Sequence, residues 1–148
     1  ASTALNTSFT ISSPLLSFPT IGSAIGSASA AVSVTDLGGD GATLTPNGPG
    51  AYNAHYNGLV PGGTTFADLL AGPVIAAPFS TANASQDFPG GGGFVPIAGA
   101  VSDMSARWDF TLSPNDIASG TGVFTVIPAP SAIGVVALGG LLAGRRRR

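Results

Sequence analysis

The chain has no cysteine, no lysine, no glutamate and a single histidine, His55. Without cysteine there are no disulfides, no thiol nucleophile and no cysteinyl metal site; the redox compartment stays open, because exported proteins can lack the residue altogether. Without glutamate or lysine, acid–base chemistry would fall to seven scattered aspartates, Asp36, Asp40, Asp68, Asp87, Asp103, Asp109 and Asp116. A lone histidine with no carboxylate at ligand spacing reads as a polar residue on the exposed face of a strand, not as a base or a ligand. We therefore expect no enzyme. Arg107 is the only cation before the last four residues, so the body is acidic and has little with which to grip phosphates. Nucleic acid is not an expected partner.

What the chain does have is glycine and proline, 22 and 12 of 148 residues. That content favours short strands and frequent turns over long helices. The clearest pattern is "VSDMSARWDFTL", where Met104, Ala106, Trp108, Phe110 and Leu112 share one face and Asp103, Ser105, Arg107, Asp109 and Thr111 the other. Period two over this length predicts a half-buried strand. After the turn "SPND", "GVFTVI" predicts a second strand, placed antiparallel to the first. Further strands are expected at Phe9–Ile11, at Ala30–Thr35, in the short run after "DLGGDG", and at Tyr52–Tyr56. "TTFADLLAG" reads as a short helix, with Thr65 as cap, Asp68 in the first turn and Gly72–Pro73 as the stop. "PFSTANASQDFPGGGGFVPIAG" reads as a long loop. The fold expected is mainly β: a small antiparallel β-sandwich with Gly/Pro-rich loops over residues 1–127, its core built on Trp108, Phe110 and Phe124, followed by a segment at 128–148 holding a short apolar helix.

Few residues stand out as ligand contacts. Asp36 and Asp40 in "DLGGDG" are candidates for Ca²⁺ through oxygen-rich loop coordination, although no EF-hand or glycine–aspartate repeat accompanies them. Tyr52 and Tyr56 carry amphipathic rings that could stack on a sugar. "GGGG" lacks the Lys-Ser/Thr that follows a phosphate-cradling loop.

The chain ends IPAPSAIGVVALGGLLAGRRRR. Residues 131–144 are uncharged and, as a helix, about 21 Å long, short of the roughly 30 Å hydrocarbon core of a bilayer. The order of Pro128-Ala129-Pro130, an apolar run, then Arg145, Arg146, Arg147 and Arg148 resembles the PEP-CTERM sorting signal of exopolysaccharide-producing Gram-negative bacteria. Ala129 stands where that signature usually has Glu, as in Pro-Ala-Pro versions of the tail. The resemblance implies export behind a signal peptide, recognition by an exosortase-like membrane enzyme, and delivery to the cell surface or extracellular matrix. The Ala1-Ser2 start agrees with an excised signal peptide. The expected function is that of a non-enzymatic extracellular structural protein, a homo-oligomer or filament, with membrane association through a transmembrane helix at its C-terminal segment. The alternatives are a surface module binding extracellular polysaccharide or calcium, and an accessory subunit of a membrane complex.

Overall fold

The computed structural model describes residues 5–130, in which eleven strands follow one another: β1 (Thr7–Ser12), β2 (Leu16–Ile21), β3 (Ala24–Thr35), β4 (Ala42–Pro46), β5 (Tyr52–Tyr56), β6 (Thr64–Leu69), β7 (Val74–Ala76), β8 (Thr81–Phe88), β9 (Val95–Ile97), β10 (Val101–Leu112) and β11 (Ile117–Pro128). All pairings are antiparallel. The first sheet is organised on β10, which pairs along one side with β5 and then β4, and along the other with β2 and then β1. β6 extends β5 and β7 extends β4, giving seven strands that curl into a half-barrel. The second sheet is organised on β3, flanked by β11 on one side and by β8 and β9 on the other.

The two sheets meet over a core in which size is divided between them. The inward face of β3 presents Ala28, Ala30, Val32 and Val34, all buried; the facing half-barrel supplies Tyr52, Leu44, Leu69, Phe110 and Leu112. Small residues on one layer leave room for large ones on the other, which is how interdigitating layers reach native density. Gly26 carries the division furthest, since a Cβ there would lie 2.8 Å from Ile97 Cδ1 and 2.9 Å from Phe66 Cζ. Phe66 fills that space and stacks on Phe124, ring centroids 5.0 Å apart.

Several expectations are corrected by these pairings. "TTFADL" is a strand: the register slips between Ala54 and His55, so Phe66 sits in a bulge and turns toward the core together with Ala67 and Leu69. A bulge destroys strict alternation, and what remains imitates a helical spacing. Asp68 accepts a 2.9 Å hydrogen bond from Asn53 Nδ2 instead of facing a helix N-terminus. The stretch read as a long loop contains β8 and β9; its Ser/Thr/Asn/Ala composition hides a strand that gains its order from eight consecutive partners on β3. β11 does not pair with β10. The turn at residues 113–116 carries the chain across to the other sheet, where β11 runs beside β3 from Ile117↔Thr35 to Pro128↔Ala24.

The expected fold class is corrected as well: among the described residues there is no helix of any kind, and the architecture is antiparallel β with one curled sheet. No helix of the described residues is long and apolar enough to cross a membrane, so the expected transmembrane helix and the membrane association drawn from it have no counterpart among them. The short apolar helix expected at 131–144 lies outside the described residues.

Candidate functional site

One exposed sheet edge is β11, IASGTGVFTVIP, a twelve-residue strand without a charged residue. Its inward face is Ala118, Gly120, Gly122, Phe124 and Val126. Two of these are glycine because aromatic rings of the half-barrel press onto the backbone. A Cβ at Gly122 would lie 2.3 Å from Tyr52 Cε2; one at Gly120 would lie 3.3 Å from the Trp108 ring and 3.1 Å from the Ala31 carbonyl oxygen. The outward face places Ile117, Val123 and Ile127 in solvent.

Hydrogen-bond parity shows which backbone groups of β11 are left over. Ala129 N donates to Ser23 O at 2.9 Å, and Asp36 N to Ser80 O at 3.0 Å. The second bond turns the even residues of β3 toward β8 and the odd ones toward β11; the first agrees, because Ala129 falls opposite Ser23 when the register is continued. In an antiparallel ladder, alternate residues direct both N–H and C=O to the same side. The odd residues of β11 therefore bond to β3, while Ala118, Gly120, Gly122, Phe124 and Val126 aim theirs away from the sheet. Edge strands are normally blunted by Lys, proline, bulges or inward-pointing charge; β11 has none of these before Pro128.

A second grouping lies on the outer face of the half-barrel, where His55 is opposite Ser105 and Arg107 opposite Asn53. Arg107 Nη2 is 3.0 Å from Asp109 Oδ2, and Asp109 also accepts from Asn47 Nδ2 at 2.9 Å. Ser105 Oγ donates to Gly58 O at 3.0 Å and accepts from Val60 N at 3.1 Å; Asp103 accepts from Gly58 N at 2.6 Å. These bonds fold residues 57–63 over β10, and His55, expected on an exposed face, is buried beneath them. Its Nε2 is 3.4 Å from Thr65 Oγ1, and its Nδ1 has no hydrogen-bond partner among the described residues. The face gathers the histidine and the described arginine, yet their surroundings are committed to closing a loop.

The residues singled out as ligand contacts occupy other roles. Asp36 is buried at the end of β3, and its carboxylate accepts from Phe79 N at 2.6 Å, Gly39 N at 2.9 Å and Gly38 N at 3.2 Å. The Phe79 amide, then those of Gly39 and Gly38 and the Asp116 side chain, hold its pKa below the usual carboxylate value against the opposing effect of burial. Oxygens turned toward N–H donors are not turned toward a cation. Asp40 is exposed, and among the described residues no group of three or more His, Cys, Asp or Glu could hold a metal ion. Tyr52 and Tyr56 are buried, at 3% and 8% exposure, so the structure packs into the core the rings expected to meet a sugar. Of the tail signature, Pro128 closes β11 and lines a cavity of about 670 Å³ with Phe18, Pro19, Ile21 and Val126. Ala129 is held by Ser23, Pro130 is exposed, and Arg145 to Arg148 lie outside the described residues.

Burial pushes the Tyr52 phenol up to about 12. A phenol whose folded pKa lies above its ordinary value of about 10 favours the fold while protonated. The contribution is complete below pH 10 and is lost as the pH rises toward 12. A near-ultraviolet absorbance titration is expected to show one late-ionising tyrosine, and Tyr52→Phe to remove it.

Sequence reasoning located β11 as a strand but missed its edge. The available signal was the absence of any charge from Ile117 to Pro128. No protein-family model, no curated protein and no solved structure matches this chain.

Proposed function

We propose that this chain is a non-enzymatic extracellular structural protein that assembles with copies of itself through sheet edges. The observation that carries the reading is β11: long, uncharged, paired on one side only, with Ile117, Val123 and Ile127 exposed along it. A strand of this kind is a template for pairing with another chain. The likeness of the C-terminal segment to an export and sorting signal supports the extracellular placement. Exposed Ile11, Leu15 and Leu16 beside β1 and β2 provide a second apolar edge, which an open-ended filament requires in addition to a first contact.

Sedimentation velocity on the full chain tests this. Wild type is expected to gain mass with concentration beyond a dimer, and Val123→Lys, which places a charge on the β11 edge, to stop at no more than the dimer that the second edge can form. A wild-type chain that is monomeric throughout would overturn the reading.

A surface module that binds extracellular polysaccharide is a second reading, favoured by one observation. The outer face of the second sheet holds a shallow cavity of about 390 Å³ in which the uncharged hydroxyl and amide groups of Ser33, Asn83, Ser85, Ser119 and Thr121 surround an apolar floor with Ala31 and Ala84. Saturable heat of binding to a soluble oligosaccharide, abolished by Asn83→Leu, would support it.

A further inference from the structure

Resting on the self-assembly reading, we infer that two copies pair antiparallel through β11 about a two-fold axis at Gly122, joining their second sheets into one continuous sheet. The backbone groups aimed outward are those of Ala118, Gly120, Gly122, Phe124 and Val126. A two-fold antiparallel pairing brings residue i opposite a residue j of the partner with a constant sum. Only with Gly122 on the axis do these five residues satisfy one another completely: Gly122 faces the partner's Gly122, Gly120 the partner's Phe124, and Ala118 the partner's Val126. Moving the axis to Thr121 would bring Val126 against Asp116, a buried carboxylate already bonded to Ser113. Moving it to Val123 would bring Ala118 against Pro128, which has no N–H to give.

Side-chain size agrees with this register. Gly120 offers no Cβ where the partner's Phe124 arrives, and Trp108, half-buried above Gly120, gains an aromatic neighbour beyond Tyr52 and Phe110. On the outward face, Ile117 meets the partner's Ile127, which covers two exposed side chains at each end. Thr121 and the partner's Val123 are opposite in a pair without direct hydrogen bonds, where side chains approach most closely.

Because the chain has no cysteine, introduced thiols report this geometry without background. Thr121→Cys and Val123→Cys both replace residues on the outward face of β11, so folding is not at stake. Under mild oxidation, a mixture of the two variants is expected to form a covalent dimer while neither forms one alone. Quenching of the single Trp108 by acrylamide is expected to fall as protein concentration rises. Crosslinking of Thr121→Cys with itself, or of Val123→Cys with itself, would place the axis elsewhere and overturn the register. If the mixture does not crosslink although wild type gains mass in sedimentation, another edge makes the contact; this inference falls and self-assembly stands. If wild type sediments as a monomer, both fall.

Discussion

Gly122→Ala is expected to lower the melting temperature by about 3–10 °C, a loss of the order of 1–3 kcal/mol from overpacking. On an unobstructed strand the same change is favourable by roughly 0.5–1 kcal/mol, because glycine has more conformational freedom to lose. Here the steric cost wins. The new Cβ would stand 2.3 Å from Tyr52 Cε2 and 2.8 Å from Cδ2 and Cζ. The ring cannot swing aside, since it is 3% exposed and lies against Trp108 with centroids 5.2 Å apart. Thermal unfolding followed by circular dichroism measures the effect. Gly90→Ala, where nothing lies within 4 Å, serves as the control and should remain within about 0.5 kcal/mol of wild type. Adding Tyr52→Leu to Gly122→Ala should restore part of the loss relative to the sum of the single changes, because the two positions share one space. Additive effects would show that the ring is not what excludes a side chain from position 122.

Asp36→Ala is expected to be the second large loss, with a fall in melting temperature on the order of 10 °C. The carboxylate is the acceptor for the amides of Gly38, Gly39 and Phe79, and through them it ties the end of β3 to the loops at 37–41 and 77–80. Removing it leaves three donors of two part-buried turns without the acceptor that holds the turns together. Phe79 adds to the dependence, since its φ of 52° is one few non-glycine residues adopt without external support. Asp36→Asn keeps one acceptor oxygen but turns an NH₂ toward the remaining donors, so it should fall between alanine and wild type. Because the folded pKa is depressed, the carboxylate contributes stability that is complete above its ordinary value of about 4 and is lost as the pH falls through the folded value. Denaturant titrations between neutral and acid pH should therefore be less steep in pH for Asp36→Asn than for wild type. An unchanged pH dependence would remove Asp36 from this role.

These two residues show different kinds of legibility. The strand holding Met104, Ala106, Trp108, Phe110 and Leu112 could be read directly, because period two is a property of the chain itself and survives any strand order. Asp36 in "DLGGDG" was also visible, though as a candidate for Ca²⁺ and not as the anchor of its loop. That its carboxylate faces amides from Phe79, forty-three residues away, was not. Acceptor and donor meet only after the chain has folded back. The helix read into "TTFADLLAG" failed for a related reason: its apolar spacing is produced by a bulge opposite Ala54 and His55, a feature of pairing and not of composition. β8 was hidden by its own polarity. An exposed strand in a Ser/Thr/Asn-rich run has no hydrophobic alternation strong enough to announce it.

By itself the amino-acid sequence determined that this protein is built from strands, that thiol chemistry is closed to it, and that the segment from Ile117 to Pro128 carries no charge. Those follow from residue identity and local spacing. Only the tertiary structure decided that β11 crosses to the second sheet, that Gly120 and Gly122 yield their space to Trp108 and Tyr52, and that five of its residues direct their backbone groups outward. Which side of a strand remains unpaired depends on the neighbours it acquires, and a neighbour is chosen by the packing of whole layers, over distances that local sequence does not encode.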